Sequence, residues 1–107
     1  MKPAVRSVGV PKEVKAEEYR IAITPDGVNE LVTLGVEVRV ESGAGIGSSI
    51  TDAELAAAGA RVITEPAAVW SSELVLKVKE PQPSEYQFFR DDLILFTYLH
   101  LAAYPEV

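Results

Sequence analysis

The chain has 107 residues, of which 48% are hydrophobic, and a net charge of −6. That length fits one domain or part of a larger one, with apolar material for a core but a modest share of buried surface. The absence of cysteine argues against a disulfide scaffold and thiolate chemistry. The ten Lys and Arg are scattered through an acidic chain, which argues against a nucleic-acid partner. Met1 to Arg6 carries no apolar signal-peptide core, and no stretch reaches the length of a membrane span. A cytoplasmic location without membrane contact is the expectation.

Residues 4–10 read as a strand closed by Pro11, followed by a charged loop from Lys12 to Tyr19. Thr24-Pro25-Asp26 supplies an N-cap, a proline at the first helical position and an acid in the first turn. Val28, Leu31, Val32 and Leu34 give that helix an apolar face, and Gly35 stops it. Residues 36–40 alternate with period two, which predicts a strand with one wet face. Thr51 and Glu54 form a capping box that opens a short alanine-rich helix ending at Gly59. A brief strand at Arg61 to Ile63 and one or two helical turns from Pro66 to Trp70 come next. Residues 74–78 then predict a strand, Pro83 to Phe89 a short helix, and Leu93 to Leu99 a nearly unbroken apolar strand. Alternating strands and helices, with some strands apolar on both faces, predict an α/β fold: a parallel sheet with helices on both sides.

In open parallel sheets, ligands bind beyond the carboxyl ends of the strands. Arg20, Lys79 and His100 each follow a predicted strand and are expected to meet at one edge. Arg can grip a carboxylate through two parallel hydrogen bonds, Lys can polarise a carbonyl, and His exchanges protons near neutral pH. The trio suits a small carboxylate bearing a carbonyl or amine. Each also has an ordinary reading: a solvated loop arginine, a strand-end lysine reaching water, and a structural or exposed histidine. The stretch Gly43-Ala44-Gly45-Ile46-Gly47 invites a phosphate-loop reading, but its spacing is G-x-G-x-G and no helix starts at its end. It is read as a flexible turn. No metal-ligand cluster or nucleophile elbow is present.

Val8-Gly9-Val10-Pro11-Lys12-Glu13, Tyr19-Arg20-Ile21-Ala22-Ile23-Thr24-Pro25, Gly43-Ala44-Gly45 and Leu76-Lys77-Val78-Lys79-Glu80-Pro81 resemble, in order and spacing, the opening of alanine dehydrogenases and of transhydrogenase alpha subunits. Leu95-Phe96-Thr97-Tyr98-Leu99-His100-Leu101-Ala102 resembles the alanine dehydrogenase form, since the transhydrogenase subunits lack that histidine. The resemblance covers essentially the whole chain. It implies a Rossmann-like sheet forming the incomplete N-terminal, substrate-binding part of a catalytic domain, spanning residues 1–107. It also implies that Arg20 holds the substrate carboxylate, Lys79 contacts the substrate and polarises the carbonyl or imine carbon, and His100 is the general acid/base. Alanine would give a hydride from its α-carbon to NAD, and the iminium would take up water and collapse to pyruvate and ammonium. NAD would sit in a domain that this chain lacks, together with an aspartate that has no counterpart here. The chain alone is then expected to be inactive, and the parent a homo-oligomer. Two other readings stand beside this one: a transhydrogenase alpha-subunit domain, and a non-catalytic carboxylate-binding module.

Overall fold

The computed structural model describes residues 5–15, 18 and 20–97. They form a five-stranded, wholly parallel sheet in the order β3-β2-β1-β4-β5. The strands are β1 (Ser7–Val10), β2 (Glu37–Glu41), β3 (Arg61–Ile63), β4 (Leu74–Lys77) and β5 (Ile94–Thr97). Three helices intervene: α1 (Pro25–Thr33), α2 (Asp52–Ala57) and α3 (Pro66–Trp70). The expected α/β architecture is therefore present.

Local chemistry sets the helix ends. The Thr24 hydroxyl accepts from the Gly27 N–H at 3.1 Å, and Pro25 opens α1. Gly35 turns the chain out of that helix at φ 92°, a left-handed conformation that a side chain would strain. At α2 the Thr51 hydroxyl accepts from the Glu54 N–H while the Glu54 carboxylate accepts from the Thr51 N–H, both at 3.1 Å. Arg90 donates to the carbonyls of Trp70, at 2.6 Å, and of Ser72, closing the end of α3.

The alternation of side chains decides which layer each strand residue joins. Val8, Val10, Val38 and Val40 point to one face, where Val28 of α1 and Leu55 of α2 complete the core. Gly9 points to the other face, against Val69 and Ser72 at the end of α3. Val75 and Lys77 share that second face by their register with β1. Helices thus lie on both sides. Trp70, 2% exposed, stacks on Phe88 at 5.7 Å between ring centroids.

Several boundaries differ from expectation, and β2 runs Glu37–Glu41 rather than over residues 36–40. The first strand begins at Ser7 rather than at residue 4, and residue 4 lies outside the described residues. β4 stops at Lys77, one residue early, because the Val78 N–H donates to the Glu13 carboxylate rather than to a neighbouring strand. The segment after Pro81 winds as a 3-10 helix over Pro83–Phe88. Of the apolar run from Leu93 to Leu99, Ile94–Thr97 is described as strand, and residues 98 and 99 lie outside the described residues.

The register aligns Leu74 with Ile94 and Leu76 with Phe96. These four side chains share one face at the β5 edge, where Ile94 and Phe96 are each 52% exposed. Fully burying such a side chain is worth roughly 1.5–3 kcal/mol, against about 5–15 kcal/mol for the whole stability of a domain. A solution of the 107-residue chain is therefore expected to self-associate through this edge on concentration. Light scattering over a dilution series checks it. A constant monomer mass with a concentration-independent melt is the contrary result.

Candidate functional site

In chain order the sheet grows from β1 through β2 to β3. It then restarts on the opposite side of β1 with β4 and β5. Connections after β1 and β4 consequently leave in opposite directions, and a crevice opens between the carboxyl ends of these two neighbours. Arg20 lies in the segment between β1 and α1, and Lys79 lies two residues beyond the end of β4. Both therefore lie past the carboxyl ends of their strands. His100 lies outside the described residues.

An open depression of about 290 Å³ lies here, lined by Arg20, Ile21, Thr24, Ser48, Ile50 and Val78. Its walls are mostly apolar, with the guanidinium at the rim. Arg20 is largely exposed and already holds a carboxylate. Its Nε and one terminal nitrogen donate to the two Glu18 oxygens at 3.0 and 2.9 Å, and its backbone N–H donates to Glu18 at 2.8 Å. Hydrogen bonding from the Arg20 side chain, opposed in part by burial, lowers the Glu18 pKa to about 2. The positive charge of Lys79 acts in the same direction on Glu18, more weakly than Arg20. In return Glu18, and more weakly Glu13, raise the proton affinity of Arg20. A guanidinium on a depression of this size can grip a small carboxylate, and a nearby ammonium can draw electron density from an adjacent carbonyl.

The glycine-rich turn contributes Ser48 and Ile50 to the depression. Its first residues are anchored to the start of α2. The Asp52 carboxylate accepts from the Ser42 hydroxyl at 2.7 Å and from the Gly43 N–H at 2.9 Å. Those bonds hold the Asp52 carboxyl below its ordinary pKa. A carboxylate already seated on the Gly43 N–H makes the turn a poor cradle for a pyrophosphate, so these residues do not fit the dinucleotide.

Sequence reasoning passed over a buried ionic cluster under the crevice. The Lys77 ammonium donates to Glu13 at 2.9 Å and to Glu85 at 3.0 Å, with side chains 1%, 2% and 4% exposed respectively. Glu13 was read only as part of a charged loop, yet it also accepts from the Val78 N–H at 2.9 Å and the Lys79 N–H at 3.3 Å. Lys77 offered the signal: it falls in register with Val75 on an apolar strand, where a charge demands a counter-ion.

Residues 9–107 match the family described as "Alanine dehydrogenase/PNT, N-terminal domain". The alanine dehydrogenase of Bacillus subtilis (strain 168) is 54% identical over 100 residues, which is 94% of this chain and 26% of that protein. That of Methanococcus maripaludis is 50% identical over 101 residues, 94% of this chain and 27% of that protein. The chain thus spans about a quarter of the length of these curated relatives. Among solved structures, an L-alanine dehydrogenase superposes with a TM-score of 0.86 at 47% identity, covering 94% of this chain and 28% of that one. A transhydrogenase from Sinorhizobium meliloti superposes at 0.83 with 35% identity, covering 94% and 30%. With its parallel sheet, its crevice cations and this match along nearly its whole length, the chain belongs to the alanine dehydrogenase/PNT N-terminal domain family.

Proposed function

We propose that this chain is the substrate-binding region of an NAD-dependent alanine dehydrogenase, converting L-alanine, NAD and water to pyruvate, ammonium and NADH. The observation that carries this reading is Arg20 lining a small, apolar-walled depression beside Val78 at the sheet's switch point, with the charge of Lys79 acting on the carboxylate that Arg20 holds. His100, within a segment that resembles the dehydrogenase form, favours this reading over a transhydrogenase domain. NAD supplies the hydride acceptor when bound, and its site belongs to a domain beyond these residues. By itself this chain is then inactive, and the working protein is a cytoplasmic homo-oligomer.

In this reading Arg20 orients the substrate by its carboxylate, and the apolar walls take the methyl group. Lys79 stabilises the electron density that builds on oxygen or nitrogen as the α-carbon changes hybridisation. His100 gives and takes the protons of imine hydration and carbinolamine collapse.

The test is a chimera in which this chain replaces the matching region of the Bacillus subtilis relative, followed by NADH absorbance with alanine. Turnover is expected, and a folded chimera inactive in both directions would count against the function. Arg20→Ala should raise KM for alanine by about ten- to a hundredfold, because the substrate carboxylate loses its charged partner and meets an uncompensated Glu18 instead, with a smaller change in kcat. An Arg20→Ala enzyme with unaltered KM would remove Arg20 from the carboxylate site.

A further inference from the structure

The Glu13–Lys77–Glu85 cluster joins three separate segments. Glu13 comes from the loop after β1, Lys77 from the last residue of β4, and Glu85 from the 3-10 helix at Pro83–Phe88. Every polar atom in it has a defined use. One Glu13 oxygen receives both the Lys77 ammonium and the Lys79 N–H, and the other receives the Val78 N–H. The second Glu85 oxygen accepts from the Gln82 N–H at 2.9 Å. Among the described residues no buried side-chain nitrogen or oxygen lacks a partner.

Stability alone does not account for such a cluster. A buried ion pair is often no better than apolar residues of the same volume, because desolvation offsets the attraction. Two positions earlier on the same face the strand carries Val75, fully buried, so an apolar side chain fits this layer. What the charges add is direction. Two backbone N–H groups just past β4 are aimed at one fixed carboxylate, and the second belongs to Lys79.

We propose that Glu13, itself fixed by Lys77 and Glu85, is a positioning residue that sets the backbone of Lys79 so that its side chain meets the substrate. This rests on the proposed function, in which Lys79 touches the reacting group. Glu13→Gln keeps the shape but places an amide, with its own N–H donors, against the Lys77 ammonium and two backbone donors, so one or more of those bonds is lost. Displacing a catalytic group by a fraction of an ångström to an ångström costs roughly ten- to a hundredfold in rate.

The experiment is a double-mutant cycle in the full-length chimera. Glu13→Gln is expected to lower kcat roughly tenfold or more with little change in KM. In a Lys79→Ala background, Glu13→Gln should produce no further loss, because there is no amine left to position. A structural role would lower kcat by the same factor in both backgrounds, and that result overturns the inference, as does an unchanged kcat in Glu13→Gln. If Glu13→Gln does not fold, Glu13→Asp keeps the charge, shortens its reach and is read by the same cycle. If the unsubstituted chimera turns over no alanine, the proposed function fails. Amide hydrogen exchange then tests the positioning separately. The Val78 and Lys79 amides are expected to exchange slowly in the parent and faster in the Glu13 variant, and equal rates overturn it.

Discussion

His100→Ala in a full-length context is expected to lower kcat by on the order of 10²–10⁴-fold while leaving KM for alanine nearly unchanged, the signature of a lost general acid/base. In the proposed reaction water must add to an iminium and a carbinolamine must then expel ammonia, so protons move in both directions at one place. A side chain that titrates near neutrality serves both steps, and His100 is the only histidine in the chain. Steady-state kinetics of the variant in both reaction directions check this. A near-normal kcat would take His100 out of the mechanism and leave Lys79 and groups beyond this chain to handle the protons.

Gly9→Ala should be the most damaging single methyl addition in the β1 strand. A Cβ at this position would lie 2.2 Å from the Val69 carbonyl oxygen and 2.8 Å from the Ser72 hydroxyl. The first of these atoms is backbone, so no rotamer change relieves the contact. β1 and α3 must move apart. Overpacking of this kind costs about 1–3 kcal/mol or more, which in a domain of this size lowers Tm by roughly 4–8 °C per kcal/mol. Thermal melting checks it. Gly27→Ala is the control: its added carbon would meet the Ile23 side chain at 3.1 Å, and Ala favours a helix over Gly by about 1 kcal/mol. A Gly9→Ala melt equal to wild type would mean that α3 slides freely on the sheet.

The fold was legible where chemistry is local. Thr24-Pro25, the Thr51–Glu54 box and glycines 35 and 59 mark helix ends by backbone rules that act within a few residues, and all four features are in place. Arg20 and Lys79 were legible because a parallel sheet sends every post-strand loop to the same end. The cluster beneath them was not, because Glu13 and Lys77 are 64 residues apart and meet only once the strand order is set. Nothing in Lys12 to Tyr19 marks Glu13 out as the carboxylate that meets Lys77. The Glu13 carboxylate also ended β4 one residue early, a capture of the Val78 N–H that strand propensity cannot foresee.

The Glu18–Arg20 grip has a consequence for selectivity. A substrate that engages Arg20 through its carboxylate must evict a carboxylate already held by two side-chain hydrogen bonds. Binding is then an exchange in which the count of charge-assisted bonds stays level. The tethered Glu18 competes like a ligand at an effective concentration on the order of millimolar. A simple monocarboxylate offers Arg20 nothing that Glu18 does not. A ligand prevails only by adding contacts that Glu18 cannot make, such as a methyl group against Ile21 and Ile50 or, on the proposed function, a carbonyl or amine that meets Lys79. On the proposed function, the chain thus carries its own threshold against indiscriminate anions, set by a residue two positions from the arginine it occupies.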